Sequence, residues 1–273
     1  MCTVSIIALE GGGYRLVHNR DELRTRAIAE APAVRTFGET EAIAPLDPDA
    51  GGSWIAVDAR GRCVAVLNVN PPSDDPDANY RRDNASVSRG RLVPLLLGAE
   101  GWPPTSGAFE AETVKMRAHR ALVIEPGPDG PDGPGGPRVA QWTSGAAESG
   151  GPNGWVERST PEVWVSSGLG DALVLPRKRT FEELVLADPT PASQDRFQRH
   201  RWADRSHLSV LMARPDARTV SITTGEVTPE GVSMAYQPVI PEIDPDGEVR
   251  RDVPGELAEP QTVTLARAHS PDP

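Results

Sequence analysis

Cysteine is almost absent from this chain of 273 residues: it occurs only as Cys2 and Cys63. Two thiols make no disulfide framework, so each needs its own explanation. Long apolar runs are missing too. No stretch approaches the ~20 residues of a membrane helix, and Ile6–Leu9 is too short for a secretion signal and has no basic segment before it. A cytoplasmic location is expected. Positive charge is in deficit, with 28 Lys and Arg against 39 Asp and Glu and a net charge of −11. Such a surface repels phosphate backbones and anionic headgroups, which excludes nucleic acid and membrane insertion as expectations and leaves a small cationic or neutral ligand or substrate. The common site signatures fail as well. There is no G-x-x-x-x-G-K-[ST] loop and no G-x-S-x-G elbow, and GLGDAL (168–173) lacks the third glycine of a dinucleotide fingerprint. Zinc and calcium spacings and C-x-x-C-H are absent, so no metal site is expected.

What is present is an alternation of short apolar runs and turns. Residues 2–9 and 14–21 form a hairpin around Glu10-Gly11-Gly12-Gly13. If Leu9 pairs with Tyr14, counting outward places Cys2 opposite Asp21, a carboxylate beside the chain start. A second hairpin joins Trp54–Val57 to Cys63–Val69 through Asp58-Ala59-Arg60-Gly61, its near-continuous apolar residues indicating a sheet covered on both faces. Cys63 is a small core residue there. Residues 71–87 and PGPDGPDGPGGP (126–137) are loops. SRGRLVPLLLG is a helix capped by Ser88, shortened by Pro94 and closed by Gly98. AFEAETVKMRAHR is a further helix. RALVIEP, RVAQWTS, PEVWVSSG, RTVSITTGEV and GVSMAYQPV are strands, LSVLMAR (208–214) precedes the last two, and helical signals lie at 179–187 and 193–204. The order argues an α+β fold with mostly antiparallel sheet, one domain over 1–240 and a peripheral or partly disordered tail over 241–273.

Cys2 is the chemical signal. If Met1 is removed, one residue carries a thiol of pKa about 8.5 and an α-amine of about 7.7–8.0, and the amine can serve as base for its own side chain. Such a nucleophile needs a carboxylate to orient the ammonium, a donor for the oxyanion and a fixed cation. Asp21, Asn68 and either Arg20 or Arg218 are the candidates.

Met1-Cys2-Thr3, Asn19-Arg20-Asp21-Glu22, GGSW (51–54), VLN (66–68) and SRG (88–90) together resemble the NRDE family, also called Transport and Golgi organisation 2. GLGD (168–171) and RTVSIT (218–223) are similar to that family's later elements. The resemblance implies the N-terminal nucleophile hydrolase fold, a four-layer αββα sandwich of two antiparallel sheets between helix layers, similar to choloylglycine hydrolase and penicillin V acylase. It implies catalytic roles for Cys2, Asp21, Asn68 and Arg218, with Asn19, Arg20, Glu22 and Asp171 supporting. Asp171 departs from the amidases, which carry an Asn as oxyanion donor at that element; an ionised carboxylate only accepts.

Two functions follow. One is a cysteine amidohydrolase acting on a non-peptide C–N bond and requiring no cofactor. The other, implied by the same resemblance, is a carrier for haem, for which Met212, His200, His18 or Cys2 supplies ligand chemistry. A third possibility is that the Asn19–Glu22 cluster only pins the N-terminal strand and no chemistry occurs.

Overall fold

A computed structural model describes residues 2–70, 87–104, 107–127, 136–144 and 154–268. Most of the proline-rich loop expected at 71–87 and of the glycine-proline loop at 126–137 lies outside them. Among the described residues are two seven-stranded sheets. The first runs β10 (Glu162–Ser166), β1 (Cys2–Ala8), β2 (Tyr14–Leu23), β11 (Ala217–Val227), β12 (Val232–Ile240), β13 (Glu256–Leu257), with β14 (Gln261–Leu265) also on β12. The second is a meander of β3 (Glu30–Phe37), β4 (Thr40–Leu46), β5 (Ile55–Asp58), β6 (Cys63–Asn68), β7 (His119–Glu125), β8 (Arg138–Thr143) and β9 (Trp155–Arg158). All named pairings are antiparallel.

Alternation along the strands sorts side chains into layers. Val4, Ile6, Tyr14 and Leu16 from the first sheet meet Ile55, Cys63, Leu67 and Leu122 from the second in a core between the sheets. The opposite faces are covered by helices. Val64, Val66 and Ala121 pack on Leu92, Leu96 and Leu97 of α1 (Leu92–Leu97) and Phe109 of α2 (Gly107–Thr113). Ile7, Val163 and Val165 pack on Phe181 of α3 (Pro176–Phe181) and Phe197 of α4 (Pro191–Gln198). This is the αββα order that the resemblance implies, and both faces of each sheet are apolar because both are covered.

Several expectations change in detail. Ser88 caps a single 3-10 turn, Arg89–Arg91, before α1, which ends at Gly98. The 208–214 segment is buried but irregular, held by its backbone to His200 and Thr219. Strands β3 and β4 were not anticipated. The tail does not trail away after 240: β14 pairs with β12, and Val263 and Leu265 pack against the inter-sheet core.

The first hairpin corrects the expected register. Ala8, not Leu9, pairs with Tyr14, and Cys2 faces Arg20 rather than Asp21. The loop is tightened by bonds from Gly12 N to Leu9 O and from Leu9 N to Gly13 O, which take Leu9 out of the strand. One residue of slip moves Asp21 to the other face of the sheet.

Candidate active site

Cys2 begins β1, between β2 and β10, and its side chain lies on the inter-sheet face, 7% exposed. Its backbone N–H donates to Ser166 Oγ at 3.0 Å. That nitrogen would be the α-amine of a chain without Met1, and its neighbour is Ser166 rather than the expected Asp21. Burial pushes the Cys2 thiol above its ordinary value, and the Asp21 backbone N–H and Arg20 guanidinium pull the opposite way.

Asp21, 1% exposed, directs its carboxylate toward the α3 side of the sheet. It accepts from Thr219 Oγ1 at 2.6 Å and from Arg177 Nη1 at 3.4 Å. Arg177 also donates to Thr3 Oγ1 at 2.7 Å and Leu208 O at 2.9 Å, so β1, β2, β11 and α3 meet on one buried ion pair. A buried charge of this kind is tolerated only with such complete partnering. Arg177, in PRKRT at the start of α3, was not singled out in the sequence; nothing in its local pattern marks it.

A cavity of about 530 Å³ opens at Cys2. Its lining includes Arg20, Asp21, Glu22, Trp54, Asn68 and Arg89. Arg20 stacks over Trp54 at 4.4 Å and pairs with Asp47 at 3.0 Å and Glu22 at 3.4 Å. Arg26 reaches the same Asp47 at 2.6 Å. Asn68 ends β6, and its side chain makes no hydrogen bond among the described residues while lining the cavity with Cys2, so its amide is available to a ligand.

The motifs that carry the family resemblance meet here physically. Gly52 of GGSW and Gly90 of SRG touch backbone to backbone: a Cβ on Gly52 would lie 2.9 Å from Gly90 Cα, and one on Gly90 would lie 3.0 Å from Ser53 N. Only glycine permits that approach, and it seats Arg89 on the cavity wall.

Other expected residues lie elsewhere. Asn19 faces the helix layer and pins it, its Nδ2 donating to Gln198 O at 2.8 Å and Val210 O at 3.0 Å. Arg218 is outside the cavity; its Nη1 donates to the carbonyls of Val239 at 2.7 Å and Pro254 at 3.1 Å, so it clamps the end of the sheet. Asp171 is also outside the main cavity: it accepts from Ser167 N at 2.9 Å and from Asn70 N and Nδ2 at 3.2 and 3.3 Å, latching the chain after β6, and lines a separate cavity of about 170 Å³. Of the haem-ligand candidates, Cys2 lines the cavity, whereas His18 and Met212 are in the interior and His200 sits against Trp202. Among the described residues no group of three or more His, Cys, Asp or Glu is arranged to hold a metal, and no helix is long and apolar enough to cross a membrane.

No curated protein matches the chain. Among solved structures it is similar to an N-acylethanolamine-hydrolyzing acid amidase ortholog of Caenorhabditis elegans, at 13% identity and TM-score 0.46, over 82% of this chain and 92% of that one. It is also similar to a mutant conjugated bile acid hydrolase from Clostridium perfringens, at 12% identity and TM-score 0.39, over 100% and 99%. Residues 1–120, which hold Cys2, the Asn19–Glu22 cluster, GGSW, Asn68 and Arg89, match the family model described as Transport and Golgi organisation 2.

Proposed function

We propose that the chain is a cysteine amidohydrolase acting on a non-peptide C–N bond. The observation that carries this reading is that the Cys2 side chain and the unengaged Asn68 amide line one cavity, with the Cys2 nitrogen held by Ser166 Oγ. With Met1 removed, the α-amine takes the thiol proton and the thiolate attacks the substrate carbonyl carbon. The carbonyl π electrons move to oxygen, where Asn68 Nδ2 donates a hydrogen bond to the oxyanion. On collapse the C–N bond breaks, the ammonium returns its proton to the leaving nitrogen, and a thioester on Cys2 remains. A water, deprotonated by the same amine, attacks the thioester and releases a carboxylic acid and free Cys2.

The Asp21–Arg177 pair acts as support: it fixes β2 against α3 and so holds the Asp21 backbone N–H against the thiol. A haem-carrier reading would rest on Cys2 alone within this cavity, and no second observation favours it. The test is the intact mass of the full chain before and after exposure to activated amides, beside the Cys2→Ala variant. Loss of Met1 with a covalent adduct confined to Cys2 is expected; turnover that survives Cys2→Ala refutes the mechanism.

A further inference from the structure

Among the described residues the carboxylates around the cavity are committed to partners, and the Arg89 guanidinium has no ion pair. Glu22 and Asp47 are shared by Arg20 and Arg26, and Asp21 is paired with Arg177. Arg89 has only the carbonyl of Ala118, reached from Nη1 at 3.3 Å, and no carboxylate within ion-pair distance among the described residues. Burial, with the neighbouring Arg117 adding to it and the more distant Glu22 opposing it, pulls its pKa down to about 10, so it stays cationic at neutral pH with no ion-pair partner among the described residues. A partly buried cation of this kind is unfavourable unless something anionic completes it. Its position is not left to side-chain chance. Ser88 caps the turn that begins at Arg89, and the Gly52–Gly90 contact fixes that turn against the strand entering β5. The charge is also local, since the whole chain carries −11 and offers anions no general attraction.

We propose that Arg89 anchors a carboxylate on the amide substrate, so that the enzyme acts on amides one end of which is anionic. A guanidinium presents a planar fork that matches a carboxylate in two hydrogen bonds. Arg89 and Cys2 line the same cavity, which can accommodate an amide and its charged end together. The cationic wall reverses the ligand charge expected from net composition.

This inference rests on the amidohydrolase reading, and the experiment separates the two. Hydrolysis of glutaryl-4-nitroanilide and pentanoyl-4-nitroanilide, which differ in a terminal carboxylate, is compared for the full chain, Arg89→Gln and Arg89→Lys. Binding of glutarate against glutaramide is measured by calorimetry on Cys2→Ala with and without Arg89→Gln. The expected result is a preference in kcat/KM for the glutaryl substrate, expressed mainly in KM, that falls roughly tenfold or more in Arg89→Gln. Arg89→Lys, which keeps the charge and loses the fork, should retain part of it and carries the comparison if Arg89→Gln does not fold. Equal cleavage of both anilides, or a preference unchanged by Arg89→Gln, overturns the anchor and leaves the hydrolase standing. Arg89-dependent glutarate binding without cleavage of either anilide overturns the hydrolase and leaves the anchor. Neither cleavage nor glutarate binding overturns both.

Discussion

Cys2 is a buried thiol whose reactivity depends on what happens to one neighbouring peptide bond. In the form that keeps Met1, burial raises the thiol, so the thiolate is scarce at neutral pH and its fraction grows with every unit of alkali. The rate of Cys2 alkylation by iodoacetamide should therefore still be climbing above the ordinary thiol pKa of about 8.5. In the form without Met1 the freed amine takes the proton, and the profile should level off near about pH 7.7–8.0. Intact mass against pH, with buried Cys63 as the unreactive internal control, distinguishes the two. Residue type in the sequence points to Cys2 and Asn68, and both line the cavity. The site was not legible where it depended on partners 150 or more residues away, as with Ser166 and Arg177. The arginine anticipated as the fixed cation, Arg218, has the right charge in the wrong place, and nothing short of the β2–β11 register could show it.

At the scale of elements, the hairpin β1–β2 was visible and its register was not. Alternation fixes that two strands exist, while the loop decides which residue faces which, and here the Leu9–Gly13 bonds shift the pairing by one. Gly13 makes that loop possible: its φ is +79°, and a Cβ would fall 1.9 Å from Val227 O at the end of β11. Gly11, in the same loop, has open space around it. Gly13→Ala should lower stability by ~2 kcal/mol or more, whereas Gly11→Ala should be near neutral, and urea midpoints of the two variants check this. Strands β3 and β14 escaped the sequence for a related reason. Both are largely exposed, and a strand without a buried face leaves no apolar period to detect.

The whole molecule was the most legible level, because composition and the order of elements constrain layers without fixing any single contact. It also carries an acid sensitivity that no single motif announces. His18, sealed between the sheets, and His119, stacked on Trp142, are held neutral mainly by burial, with pKa values of about 3 and about 4 against 6.5 when exposed. Below pH 6.5 the unfolded chain binds protons at these positions and the folded one does not. Stability is therefore complete above 6.5 and is lost as pH falls toward the folded values, at up to about 1.4 kcal/mol per pH unit for each histidine. Urea unfolding at pH 7 and pH 5 should show that loss, and His18→Gln should make it shallower.

Strand β1 has a partner on each side, β2 close behind it in the chain and β10 far ahead, with Ser166 164 residues beyond Cys2. During synthesis the first edge closes almost at once, and the second stays open until β10 leaves the ribosome. At roughly 5–20 residues per second that interval is on the order of ten to thirty seconds. If Met1 is removed, trimming of the amino terminus is in this sense timed by translation, because the second edge of β1 stays open to an aminopeptidase while the nascent chain is still waiting for its seventeenth decade of residues.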